Sequence, residues 1–221
     1  VAYANDHGVD VVITDHHELP ETLPEAYAIV NPHFLPEEHA LATLPGVGVA
    51  YKVAEALYRT AGAADAVERV LDLVALGIVA DVAVQQADTR YLLQRGLAVL
   101  RETPRLGLQE LMKLAKIQPA TLSEEDIGFG LGPRLNALGR LGDANTIVEF
   151  LTTRDLSRAR ILASQLEALN NRRKTLCDQV LAGAEARLER EPELLEGAAL
   201  VLEDPNWPAG VIGIVANRLV E

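Results

Sequence analysis

Cysteine occurs once in 221 residues, at Cys177, so no disulfide can close within the chain and a reducing cytoplasm is the simplest setting. No apolar run approaches the roughly 18 residues that a membrane-spanning helix needs. Residues 1–6 also lack the basic-then-apolar pattern of a secretory signal, so a soluble protein with no membrane partner is expected. Methionine is as scarce as cysteine, and the chain begins with valine; strand-like residues start at Val9 and a helical pattern breaks off at Val220, which suggests a piece of a longer protein. Cations are outnumbered, 20 Lys and Arg against 32 Asp and Glu, and the formal charge of −12 argues against a whole surface that holds nucleic acid.

What is present is an apolar content of 49%, enough for the core of one large domain or somewhat more. Residues 9–13, Val-Asp-Val-Val-Ile after Gly8, hold four β-branched residues and read as a strand buried on both faces, as in a parallel sheet between helices. The apolar run stops at Thr14. Asp15, His16 and His17 then emerge at the carboxyl end of that strand, the edge where open α/β sheets place their chemistry. Two imidazoles and a carboxylate suit manganese, iron or zinc, although a polar turn that happens to carry a histidine pair would read the same. Asp81 ends the almost uncharged run 73–80. A carboxylate there is costly to bury without a cation or a hydrogen-bonding partner, which makes it a candidate metal ligand, with an N-cap of the next helix as the alternative.

Between these points, the proline-rich stretch 19–45 reads as a long connection holding a short strand at 28–30. Gly46-Val47-Gly48 opens a helix to Thr60, its glycines serving close packing against the sheet, and further helices are expected over 65–80, 88–102 and 108–116. Ser123 with Asp126 resembles a capping box, starting a helix that runs into the glycine-rich residues 128–142. Five glycines make that segment poor helix but a good surface for close approach to a ligand backbone. Arg134 and Arg140 offer forks that match phosphate, and Asn136 can bond a phosphate or read a base edge. From 127 to 176 eight basic residues face four acidic ones. This basic strip suits phosphate contacts, or else it is a set of solvated helix faces in which Arg134 and Arg140 pair with Asp126 or Asp143. Residues 155–191 form one helix of roughly 50 Å at 1.5 Å per residue, with an apolar stripe through Leu162, Leu166, Leu169, Leu176 and Val180, and we place a domain boundary on it. A strand at 198–202 and a glycine turn into a helix from Pro208 would begin a second α/β domain.

Five segments together resemble one family: Asp15-His16-His17 after its strand, residues 46–52, residues 71–81, Gly132-Pro133-Arg134-Leu135-Asn136-Ala137-Leu138-Gly139-Arg140-Leu141, and residues 207–216. In this order they are similar to the RecJ family of single-strand-specific DNA exonucleases, within the DHH phosphoesterase superfamily. The Asp-His-His triplet marks the superfamily, and the segment from Gly132 to Arg140 is more specific to the family. The resemblance implies an α/β fold: a parallel-sheet DHH domain with many helices over 1–154, a long connecting helix over 155–192, and the start of a DHH-associated domain over 193–221. It implies a two-ion Mn2+ or Mg2+ site with His16 and Asp81 as ligands, Asp15 orienting the site, His17 facing the scissile phosphate, and Arg134, Asn136 and Arg140 holding nucleotides. The partner implied is single-stranded DNA, digested 5′ to 3′ in repair and recombination. The family's Asp-x-Asp ligand motif is absent from these 221 residues, so the chain supplies only part of the ligand set and is expected to be inactive alone. Where relatives often have His-Pro, Pro208-Ala209 stand here. Two other readings stay open: a DHH-family phosphodiesterase for short oligonucleotides or cyclic dinucleotides, and a catalytically inactive DNA-binding scaffold.

Overall fold

The computed structural model describes residues 1–141 and 145–220. Gly142, Asp143, Ala144 and Glu221 lie outside the described residues, and with them the end of the glycine-rich segment and the pairing expected of Asp143. By packing, the chain divides into two units, Val1–Pro104 with Ile117–Gly132, and Arg105–Lys116 with Pro133–Glu221.

The first unit begins with a short helix α1 (Ala2–Asp6) and two parallel strands, β1 (Val12–Thr14) and β2 (Ala28–Val30), in register Val12↔Ala28, Ile13↔Ile29 and Thr14↔Val30. β1 is shorter than its sequence suggests, and the stretch is not buried on both faces: Val9 and Val12 are exposed, while Val11 and Ile13 are only partly covered. Two strands against one helix shield one row of side chains, so the β-branched residues on the other row face solvent. Helix α2 (Gly46–Thr60) follows, then a 3-10 stretch Ala64–Val70 and helix α3 (Leu71–Ala80). The single helix expected over 65–80 is thus broken at Val70, where the backbone leaves helical geometry. Helix α3 is apolar almost all round, with Leu71, Val74, Ala75, Leu76 and Ile78 buried, as a helix covered on several sides must be.

Its main partner is α4 (Ala87–Arg101), which contributes Leu92, Leu93, Leu97 and Leu100 to the core. Gly96 sets their separation: a Cβ there would lie 2.4 Å from the Leu71 carbonyl oxygen and 2.8 Å from Ala75 Cβ. Each fully buried leucine contributes roughly 1.5–3 kcal/mol of transfer free energy. Asp72 is buried in the first turn of α3, accepting from Thr103 Oγ1 at 2.7 Å and the Leu73 amide at 2.8 Å, a placement that the helix dipole also favours.

In the second unit, α5 (Leu106–Leu114) packs on α7 (Asn145–Thr152) and on the 35-residue α8 (Leu156–Arg190), with α6 (Gly132–Leu141) at the start of the unit's second segment. Asp155 caps α8, its carboxylate accepting from the amides of Ser157 and Arg158, and no Gly or Pro interrupts the helix except Gly183. The buried stripe runs through Leu162, Leu166, Asn170, Cys177 and Val180; toward its end it meets Val211 and Val215 of α9 (Ala209–Arg218), with Trp207 packed against them. The whole of α8 belongs to this unit. The strand expected at 198–202 does not form: those residues carry no strand pairing, Leu200 and Val201 are exposed, and a lone extended segment has nothing with which to exchange ladder hydrogen bonds.

Candidate metal centre

Parallel pairing brings the carboxyl ends of β1 and β2 to one edge, so Asp15-His16-His17 lies beside Asn31-Pro32-His33. The Asp15 amide still donates to the Val30 carbonyl at 3.1 Å, and the chain turns only after it. One oxygen of Asp15, Oδ1, accepts three hydrogen bonds, from the His16 amide (2.7 Å), the His17 amide (3.3 Å) and His17 Nδ1 (2.7 Å). The His17 imidazole and the two amides hold the Asp15 carboxyl down at about 2, and the same bond raises His17 above its usual value. With Nδ1 committed as a donor, Nε2 of the exposed His17 ring is left to solvent or a ligand.

His16 is held from the other strand and from α2. Its carbonyl accepts from His33 Nε2 at 3.1 Å, while Asn31, itself buried, donates from Nδ2 to the His17 carbonyl at 2.9 Å and accepts the His33 amide at 2.9 Å. Gly46 opens α2 against the His16 ring, where a Cβ would stand 3.2 Å from Cδ2, so this glycine serves the strand-end histidine. Gly48 instead fits over Leu44. Asn31 and His33 were not picked out from the sequence, because only the pairing of β2 with β1 shows their purpose.

Asp81 comes from α3. It is the C-cap of that helix, and α4 starts at Ala87 with Gln86 as its N-cap, so the reading of Asp81 as an N-cap does not hold. Val82 follows at φ 53, with its amide on the Val79 carbonyl and the Ala83 amide on the Ile78 carbonyl, the Schellman pattern that usually takes glycine. A β-branched residue in that conformation is strained by roughly 1–2 kcal/mol. The turn leaves Asp81 Oδ2 3.8 Å from His16 Nδ1, with both side chains partly exposed. Asp15, His16 and His17 place one ligand atom each within 4.8 Å of one another, and Asp81 adds a second carboxylate beside His16. Two donors about 2.1 Å from one octahedral ion stand about 3.0 Å apart when adjacent, so a small approach from 3.8 Å would let His16 and Asp81 share an ion, and imidazole with carboxylate is a donor set for a divalent metal such as manganese.

The arginine and asparagine segment is helical, against the expectation for five glycines. Asp126–Leu131 is a π-helical turn, started by the reciprocal Ser123–Asp126 cap, and α6 continues from it. Two of its glycines meet the chain's own core: a Cβ at Gly130 would lie 2.7 Å from Ile117 Cδ1, and one at Gly132 would lie 3.0 Å from the Ile127 carbonyl. Asn136 and Arg140 stand one turn apart on α6, both exposed. Arg134 is only 13% exposed and pairs through Nε and Nη2 with Glu167 of α8; Arg140 donates from Nη1 to the Gly210 carbonyl at 3.2 Å. Asp126 Oδ2 accepts from the Ser123 amide and hydroxyl. Elsewhere in the basic strip, Arg158 pairs with Glu149 and Arg160 with Glu110.

Residues 1–78 match the DHH family, N-terminal domain. Along its full length the chain is 41% identical to the single-stranded-DNA-specific exonuclease RecJ of Salmonella typhimurium, covering 41% of that protein. The DHH match thus takes in the strand-end triplet and helix α2, and the likeness to RecJ runs the whole length of the chain. The RecJ of Bacillus subtilis is 38% identical over 99% of this chain and 27% of its own length, so the chain spans less than half of these curated relatives. The crystal structure of exonuclease RecJ bound to manganese superposes with a TM-score of 0.85 at 32% identity, covering 99% of this chain and 54% of that one. RecJ of Thermus thermophilus in complex with Mg2+ gives 0.78, also at 32% identity, over 96% of this chain and 31% of that one. The α/β fold, a small parallel sheet among many helices, is the fold of those structures.

Proposed function

We propose that this chain carries part of the catalytic core of a metal-dependent exonuclease, one that hydrolyses phosphodiester bonds of single-stranded DNA 5′ to 3′ in repair and recombination in the cytoplasm. The observation that carries the reading is the meeting of His16 and Asp81 at 3.8 Å beside the bonded Asp15–His17 pair, at the carboxyl edge of the sheet. Relatives named as single-stranded-DNA-specific exonucleases support the substrate, and structures of RecJ with manganese and magnesium support the ion. Among the described residues no helix is long and apolar enough to cross a membrane.

His16 and Asp81 would hold an ion, and Asp15 would orient the site. Divalent ions held there would supply Lewis acidity toward the scissile phosphate and toward an attacking water. Asp15 keeps the His17 ring in one tautomer and favours its charged form, so that Nε2 can donate to an anionic phosphate oxygen. We assign Arg134, Asn136 and Arg140 to nucleotide binding, of which Asn136 and Arg140 are the exposed members. We divide the chain into a DHH domain over 1–154, a connecting helix over 155–192 and the start of a DHH-associated domain over 193–221.

In the intact protein, His16→Ala and Asp81→Ala should each abolish manganese-dependent hydrolysis of a single-stranded oligonucleotide and leave the melting temperature nearly unchanged, since both side chains are partly exposed. An Asp81→Ala protein that kept most of its activity but melted far lower would overturn the assignment. Faster cleavage of dinucleotides than of long strands would move the substrate to short oligonucleotides.

A further inference from the structure

The chain has three phenylalanines: Phe150 is buried, Phe34 is half exposed, and Phe129 is 82% exposed. Phe129 sits in the π-helical turn Asp126–Leu131, between Ile127 and Leu131, which are both fully buried, so its ring points away from the core. Turns of this kind give up regular α-helical hydrogen bonding and occur often at functional sites.

The residues beside the ring are glycines, and only one of them is forced by packing. A Cβ at Gly130 would collide with Ile117 at 2.7 Å, whereas one at Gly128 would stand in ordinary contact with Val79 Cγ1 at 3.6 Å. Glycine weakens a helix relative to alanine, so at Gly128 the missing side chain costs stability that crowding does not explain. The same turn packs on α3: Gly128 lies against Val79, and Gly132 approaches Ala80, one residue before Asp81. The turn that carries the exposed Phe129 thus packs beside the helix end that delivers the carboxylate of the metal centre.

We propose that Phe129 stacks a nucleobase of the single strand beside the metal centre. This inference rests on the functional reading above. Stacking on an aromatic ring tolerates any base, because every base has a π-face, and so suits an enzyme that digests strands of any sequence.

The test is binding by the intact protein in chelator, so that no strand is digested, to oligonucleotides carrying 2-aminopurine or a single abasic residue at successive positions. At one position the wild-type protein should quench 2-aminopurine fluorescence and should lose affinity when that base is removed. Phe129→Ala should weaken binding of the complete strand by roughly 5- to 150-fold, the range of base–aromatic stacking. It should also abolish the quenching and no longer distinguish the abasic strand, while Phe129→Trp restores all three. Unchanged melting temperatures should accompany these variants, since the ring makes no core contact. Equal affinity of wild type and Phe129→Ala, or an equal loss of both on every abasic strand, overturns the proposal. A wild-type protein that stacks the base but hydrolyses nothing with manganese overturns the exonuclease reading and leaves the stacking intact.

Discussion

Replacing Arg134 by alanine separates two roles that the sequence left open. The guanidinium is 13% exposed and Glu167 24% exposed, and two hydrogen bonds join them. Exposed ion pairs contribute roughly 0–1 kcal/mol, while breaking a buried pair costs roughly 3–5 because a charge is left without its partner. This pair lies between those cases, so Arg134→Ala should cost about 2 kcal/mol, or roughly 4–8 °C in melting temperature for a chain of this size. Arg140 is exposed and holds one carbonyl at 3.2 Å, so Arg140→Ala should change stability by less than about 0.5 kcal/mol. A double-mutant cycle with Glu167→Ala should recover a coupling of about 1–2 kcal/mol. Binding to a single-stranded oligonucleotide across a salt series, in a His16→Ala background, adds the second axis. Arg140→Ala should reduce the salt slope by roughly 0.7 if it contacts one phosphate. Arg134→Ala should reduce it less, because Glu167 already neutralises that cation, and Glu167→Ala should tighten binding. If Arg134→Ala left the melting temperature unchanged and reduced the salt slope by the full ~0.7 of one phosphate contact, the ion pair would not be what holds Arg134, and the reasoning from burial would fail.

Gly96→Ala should destabilise the chain by about 2 kcal/mol, since its Cβ would stand 2.4 Å from the Leu71 carbonyl oxygen and force α3 and α4 apart. Gly213→Ala, where nothing lies within 4 Å, should be neutral or stabilising; equal urea midpoints for the two variants would refute the packing argument. In the metal-free protein, an NMR titration should find His17 above its ordinary 6.5 and Asp15 near 2, and Asp15→Asn should return His17 toward 6.5. By linkage, the His17 contribution to stability is complete below pH 6.5 and fades as pH rises through the raised value, while that of Asp15 is complete above pH 3.8 and fades as pH falls toward 2. A His17 titration unaltered by Asp15→Asn would show that the pair does not form in solution.

The parts of this chain that could be read in advance are those whose cause is local. Asp155 followed by 35 residues with one glycine and no proline describes α8 almost to its ends, because capping and propensity act within a few residues. The strand ends at Asp15 and the uncharged run ends at Asp81 for equally local reasons, so both halves of the candidate site were visible. Their meeting at 3.8 Å, and the hold of Asn31 and His33 on the strand end, depend on which elements pair, which single residues do not show. The same limit explains the glycine-rich segment and its arginines. A glycine can open a surface to a ligand or admit a neighbour, and what its missing Cβ would touch decides between them. Gly130 admits Ile117 and Gly139 faces open space, although both read alike in the sequence. Arg134 finds Glu167 thirty-three positions away, on another helix, so a count of basic residues along the chain overstates the charge available to a phosphate. A charge strip is therefore better judged by how many of its cations still lack a carboxylate after folding than by its sequence balance, and on that measure Arg140 carries more of the nucleotide-binding assignment than Arg134.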